Sequence, residues 1–426
     1  MQRRLAMWMA CGLLGIGGAA QAQRAQVTFW QFDPASYVVD TWNKVIADFN
    51  RKNPNIEVKM EIVPWNEQQQ RLITAVTAGG LPDVSYLGNN VVAQFQAIGA
   101  LEPLDRYMGQ WSRAEGRDIT RDFWPGEVQY YRLGGQFYAV PFQSETRTLY
   151  YRKDLFRQAG LDPNRPPRTW DELYSYASRL QRNGVYGLAQ PMSIDYMTAH
   201  NFAPVYLSYG GRLLDAGGRC GLNTPAFKTA LRKYTDVLKN GGTSPNAATA
   251  SATVFREGFR SGRYAMLIDG PWTWVALQES KPAFLNQIGF AQVPQGPRGR
   301  IGFLGGVPLV MWKSARNKDA AAAFLRYATD PGPNGALKEL MVGTGQLPGR
   351  ISLARQAPFN TPPFSLVVQQ LAVARPFQYP DEPIPQMGQI EVRTLQTAIQ
   401  QVALGQRSVD AATVDLCNNL NSILGK

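Results

Sequence analysis

The chain has 426 residues, 44 Lys and Arg against 32 Asp and Glu for a formal charge of +12, three cysteines and a single histidine. That length exceeds one ordinary domain and points to two, while so few cysteines exclude a disulfide scaffold, so hydrophobic cores must hold the fold. A basic balance suits nucleic-acid binding, but no dense Lys/Arg block interleaved with aromatics occurs; the charge reads as solubilising surface, with no nucleic acid among the expected partners.

At the N-terminus Arg3 and Arg4 precede an apolar stretch over 5–18, and Ala20-Gln21-Ala22 has the small-x-small form that precedes a signal-peptidase cut. Residues 1–22 are therefore expected to be a cleavable export leader. The apolar run is shorter than the ~20 residues a spanning helix needs, and Trp8 and Met9 are poor lipobox residues before Cys11. Losing Arg3 and Arg4 lowers the formal charge from +12 to +10 and leaves Cys220 and Cys417 as the remaining cysteines. Export permits a bridge between them, but sequence gives no distance, so paired and free thiols both stay open.

The mature chain opens with a strand over 27–30, then Trp42, Val45, Ile46 and Phe49 at helical spacing. Asn53-Pro54-Asn55 ends that helix, and Ile56, Val58, Met60 and Ile62 alternate with Glu57, Lys59 and Glu61 like a strand covered on one side. Strand, helix, strand is a βαβ unit and predicts a parallel sheet. A helix over 68–78, a short strand over 84–87, an extended segment over 137–142 and a strand over 148–151 follow. Thr169 and Glu172 form a capping box that opens a helix ending at Asn183-Gly184, and Thr224-Pro225 opens another with Phe227, Leu231, Tyr234 and Leu238 on one face. Repetition of such units predicts two similar layered α/β domains.

Further on, an apolar run over 265–268 is broken by Asp269 and Gly270, Pro271 suits a first helical position, and Trp272 and Trp274 follow. This places two rings just beyond the carboxyl end of a strand, where open α/β sheets bind ligands. Trp272 reads as the ring facing a cleft and Trp274 as packing behind it, while Asp269 either orients the turn or reaches a ligand hydroxyl. Strands are expected over 288–293 and after Gly305-Gly306, helices over 320–327 and 390–403, and a last helix capped by Ser408.

Catalytic signatures are scarce. His200 as sole histidine excludes HExxH zinc chemistry and multi-histidine metal sites, and no GxSxG elbow, P-loop or GxGxxG fingerprint occurs, so no metal or cofactor is expected. Sugar-binding chemistry is better represented, since sugars pack C–H faces on rings and need donors and acceptors in the same plane. Clusters of that kind stand near breaks: Trp30 with Phe32 and Asp33, Asn89 with Asn90, Gln143 with Glu145, His200 with Asn201, and the Trp272 corner. Trp30 is equally core or site, and Asn89 and Asn90 equally helix caps.

The ordered series Asn53-Pro54-Asn55, Gly80-Leu81-Pro82-Asp83, Gly135 to Pro141, Leu149-Tyr150-Tyr151-Arg152-Lys153-Asp154, Thr169-Trp170, Asp269-Gly270-Pro271-Trp272 and Pro385-Gln386-Met387 resembles the extracellular solute-binding proteins of bacterial ABC importers, in the carbohydrate branch that includes maltose-binding protein. The resemblance implies a two-lobed α/β periplasmic-binding-protein fold of type II, each lobe a mostly parallel sheet flanked by helices, hinged around a central cleft. It puts lobe 1 at 23–142 and 308–350 and lobe 2 at 143–307 and 351–426. It also implies a monomer that binds a carbohydrate and delivers it to membrane permease subunits. Residue by residue, it matches Trp272 to a stacking tryptophan, Glu145 and Asn90 to polar ligand contacts, Phe32-Asp33 to a further contact turn, and His200-Asn201 to an aromatic-rich ligand segment. Gly305 and Gly306 would let backbone approach the ligand. Asp83 reads as a loop-structuring carboxylate. Leu87 and Glu391 stand where the family carries tryptophans, so the maltodextrin platform is incomplete and another sugar, or a polyol phosphate held by Arg, fits better. A glycerophosphodiester or peptide ligand and a secreted carbohydrate-active enzyme are the competing readings.

Overall fold

The computed structural model describes residues 24–426, so the expected leader at 1–22 lies outside the described residues. The opening βαβ unit forms as its pattern requires. Ala25–Gln31 and Ile56–Ile62 pair in parallel, and Ser36–Lys52 crosses between them with Val38, Trp42, Val45, Ile46 and Phe49 buried. Gln68–Ala78 ends at Gly79, whose φ of +79° no L side chain adopts easily. Thr169 caps Trp170–Leu180 by accepting the Glu172 N–H at 3.2 Å. Glu172 in return accepts from the Arg168 N–H at 2.7 Å, one residue earlier than a capping box predicts. No helix among the described residues is long and apolar enough to cross a membrane.

A six-stranded sheet runs in the order Leu347–Pro348, Val140–Glu145, Gly305–Met311, Val84–Tyr86, Ala25–Gln31, Ile56–Ile62. A four-stranded sheet runs Ile288–Gln292, Thr148–Arg152, Tyr264–Asp269, Tyr186–Ala189. The sheets are mixed, which corrects the expectation of mostly parallel ones: three of five pairings in the first and two of three in the second are antiparallel. Gly305–Met311 and Val140–Glu145 join or leave their sheet at passages to the other half of the molecule. They are not delivered by the βα crossovers that make neighbours parallel.

Each sheet has its own hydrophobic core, so the molecule is two-lobed. The first core gathers side chains from Val27 to Phe142 and again from Leu304 to Ala374; the second runs from Leu149 to Phe303 and from Phe377 to Leu420. The chain thus passes between cores three times. The last passage falls after Ala374, later than the division expected at 350, because Leu353, Phe359, Val367 and Leu371 pack into the first core. The passages are laced together: Thr146 Oγ1 donates to the Phe303 carbonyl at 2.7 Å, the Gly302 N–H to Val373 O at 3.1 Å, and the Leu304 N–H to Arg375 O at 2.8 Å.

In the second lobe Cys220 and Cys417 form a disulfide with Cα atoms 5.2 Å apart across 197 residues of sequence. The chain-entropy model assigns up to about 5 kcal/mol to a closed loop of that length. The Cys220→Ala/Cys417→Ala double variant is expected to lose a large part of that in urea unfolding. A wild-type midpoint indifferent to reductant would contradict the assignment.

Candidate functional site

The site is built on the first passage between lobes. Along Val140–Glu145 and its continuation, side chains alternate between faces, so Glu145 and Arg147 share one face and Ser144 takes the other. Arg147 is fully buried. Its Nη2 donates to Glu145 Oε1 at 3.2 Å and to His200 Nδ1 at 2.8 Å. The guanidinium carbon lies 4.9 Å from the Trp272 ring centre and 5.3 Å from that of Phe303. Arg147 Nε and Nη1 are buried without a protein partner.

His200 extends the chain of contacts. Because a guanidinium only donates, Nδ1 is the acceptor and Nε2 carries the proton, which it gives to Glu391 Oε1 at 2.5 Å. The imidazole lies flat on Phe303 at 4.2 Å and 21°. Glu391 is buried with Oε2 unpartnered, in a π-helical turn over Ile390–Thr394 within an otherwise α-helical run. Such turns insert a residue and re-aim a side chain.

At the corner, a Cβ on Gly270 would stand 2.2 Å from the Trp272 ring, so glycine is what lets the indole lie against the backbone. Arg256 lies 5.4 Å from the same ring, and Trp272 Nε1 is buried without a partner. Trp274 packs edge-on against Phe290 at 5.1 Å, behind the corner. Asp269 accepts from Arg256 Nε at 2.6 Å, the Gly270 N–H at 2.9 Å and Thr273 Oγ1 at 2.8 Å. Burial alone would push its carboxyl up, but the charges of Arg256 and Arg147 with these hydrogen bonds hold it below the usual range. Of its two expected roles, orienting the turn is the one its contacts fill.

Other expected residues make contacts of their own. Trp30 donates to Glu61 at 2.9 Å under the Arg71 guanidinium, Phe32 is buried edge-on to Trp65, and Asp33 accepts the Ala35 N–H at 3.0 Å. Those contacts stay within the first lobe and do not join the Arg147 cluster. Asn201 braces the Ile268 carbonyl at 3.2 Å, and Asn89 reaches Leu304 O at 3.4 Å beside half-buried Asn90. Gln143 is buried on the passage strand. Gly305 and Gly306 are needed for a different reason from the one expected. A Cβ on Gly305 would meet Glu145 Oε1 at 2.3 Å and one on Gly306 the Gln143 carbonyl at 2.8 Å, so the protein's own groups fill that space. Asp83 accepts from Thr28 and from the Arg316 N–H, a loop-structuring carboxylate as read from sequence.

Sequence reasoning missed Arg147, Phe303 and Glu127. The Glu145-x-Arg147 spacing at the junction of two strands was a usable signal for the first. Glu127 lies behind the passage strand, fully buried, accepting Ser144 Oγ at 2.8 Å with Oε2 unpartnered. Burial pushes its carboxyl well above the usual range, so the folded state holds a proton that the unfolded chain releases above about pH 4.3. Stability should therefore fall with rising pH on this account, by about 1.4 kcal/mol per unit up to the folded pKa. Glu127→Gln removes that titration, and its melting temperature is expected to rise relative to wild type as pH increases above 5; parallel melting curves would refute it.

Set against known proteins, a profile of the family described as bacterial extracellular solute-binding protein matches residues 35–334. The chain belongs to that family. A Brucella abortus (strain 2308) relative, named as a binding protein without a ligand, is 30% identical over 327 residues, 75% of this chain and 76% of its own. The mannitol-binding protein of Pseudomonas aeruginosa is 29% identical over 354 residues, 80% of this chain and 78% of its own. Among solved structures, a solute-binding protein of an ABC transporter from Thermotoga lettingae, bound with α-D-tagatose, superposes with a TM-score of 0.82 at 27% identity, covering 94% of this chain and all of that one. The two-lobed architecture of this solute-binding protein is thus the family's own.

Proposed function

We propose that this solute-binding protein captures a neutral sugar or sugar alcohol between its lobes and delivers it to the permease of an ABC importer, acting as a monomer after export and loss of residues 1–22. One observation carries the reading: Arg147, Glu145, His200 and Glu391 form a hydrogen-bonded chain beside Trp272 that still holds unpartnered N–H and carboxylate groups. Spare donors and acceptors next to aromatic faces are what a polyhydroxylated ligand needs. The charges are matched, Arg147 with Glu145 and Arg256 with Asp269, while the neutral His200 imidazole meets Glu391. A phosphate would have to enter beside two carboxylates. Two of the relatives, one named for mannitol and one bound with tagatose, support an uncharged polyhydroxylated one. Binding without turnover is part of the proposal, since Arg147 and His200 engage the two carboxylates a glycosidase would need free.

Screening by thermal shift and tryptophan fluorescence against hexoses, hexitols and their phosphates is expected to find a neutral ligand with a Kd near micromolar, about −8 kcal/mol. Trp272→Ala should weaken it by about 1 to 3 kcal/mol in a folded variant. A preference for the phosphorylated partner that fades with salt would overturn the neutral reading.

A further inference from the structure

Trp272 opens the helix Trp272–Ser280 with its indole N–H buried and bonded to no protein group, so what lies against the ring sets its orientation. Two guanidiniums lie there, the Arg147 carbon 4.9 Å from the ring centre and the Arg256 carbon 5.4 Å from it. They differ in where they stand. Arg147 is on the first passage between the lobes, whereas Arg256 lies on the helix Ala252–Arg260, whose Phe255 and Phe259 are buried in the second core beside the strand that ends at Asp269.

The Arg256 side chain is itself held at several points. Its Nε and Nη2 donate to Asp269 Oδ2 at 2.6 Å and Oδ1 at 3.4 Å, a two-point pairing that sets the plane of the guanidinium. Nη2 also donates to the Tyr196 hydroxyl at 3.3 Å. Asp195 delivers that partner, because one carboxylate serves two helix starts. Its Oδ1 accepts the Met197 N–H at 2.9 Å at the head of Tyr196–Ser208, and its Oδ2 accepts the Ala252 N–H at 2.9 Å at the head of Ala252–Arg260. Tyr196 also stands edge-on to His200 at 5.5 Å, one helical turn further along, so the Arg256 group adjoins the Arg147–His200–Glu391 chain there as well as at Trp272. Asp269, Tyr196 and Trp272 all belong to the second lobe, and this support for the ring needs nothing from the first.

We propose that Arg256 is a positioning residue, which holds the Trp272 indole in the orientation that meets the ligand and is itself aimed by Asp269 and Tyr196. The effect on affinity rests on the sugar-binding reading above; the orientation of the ring does not.

The test compares the disulfide-bonded wild type with Trp272→Ala, Arg256→Lys and the double variant. Subtracting the near-ultraviolet circular dichroism of each Trp272→Ala protein from that of its parent isolates the signal of this one indole without ligand. Wild type is expected to show a definite signal and Arg256→Lys about half of it or less, because an ammonium cannot make the fork to Asp269 or lie flat on the ring. In calorimetric titration with D-mannitol and D-tagatose, Arg256→Lys should weaken the better probe about fivefold or more, but less than about twofold once Trp272 is already alanine. A folded Arg256→Lys protein with the full indole signal overturns the proposal, as does an equal loss of affinity with and without Trp272, which would make the role of Arg256 direct. Should Arg256→Lys not fold, Arg256→Gln/Asp269→Asn, which strands no buried charge, takes its place under the same expectations. If neither probe binds wild type, it is the sugar reading that fails, and the ligand-free spectra still decide on Arg256.

Discussion

Everything at the centre of this molecule is arranged around one desolvated cation. Removing a guanidinium from water costs several kcal/mol unless charge and hydrogen bonds are returned to it, and Arg147 is wholly buried. What is returned comes from two of the passages and from the second lobe. Glu145 is on the first passage, Phe303 on the second, and Glu391, which acts through His200, lies shortly after the third. Deleting one member of such a set strands the others, which is why buried pairs cost about 3–5 kcal/mol to break from one side. The passages between the lobes and the candidate ligand site therefore share the same atoms.

Much of the scaffold was legible because it is local. The alternation at Ile56 to Ile62, the helical spacing of Trp42 to Phe49 and the Thr169, Thr224 and Ser408 caps each depend on a few neighbouring residues, and each stands in the structure. The long-range relations were not. Whether a strand runs parallel or antiparallel depends on where the chain has been, and the sequence around Gly305 carries no mark of arriving from the other lobe. The segment from Ile351 to Ala372 belongs to a final third that reads as helical and loop-rich without marking a lobe, yet Val367 and Leu371 face the first core, which moves the third passage beyond it.

The candidate site divided along a similar line. Residue type alone pointed to a corner in which Trp272 lies against Gly270 and Trp274 packs behind, because turn chemistry and ring size are local properties. Trp30, Phe32 and Asp33 stand apart from it, with partners Glu61, Trp65 and Ala35 inside one lobe. Residue type overlooked Arg147, since a charge in a polar stretch between two strands reads as solvent-facing until the opposing lobe is placed over it. Buried charge becomes visible only when both halves of its environment are known.

The disulfide has a consequence for the covalent shape of the molecule. Both cysteines belong to the second lobe, but the stretch between Cys220 and Cys417 travels through the first core from Leu304 to Ala374 and back. The bond therefore closes a ring that includes two of the three passages between the lobes. A protease that cuts either of those passages opens the ring without dividing the protein, and the severed ends stay anchored by the remaining strands. Two of the three passages thus tolerate a cut, and the single passage outside the ring, at Phe142 to Leu149, is the one whose scission would leave two covalently separate pieces.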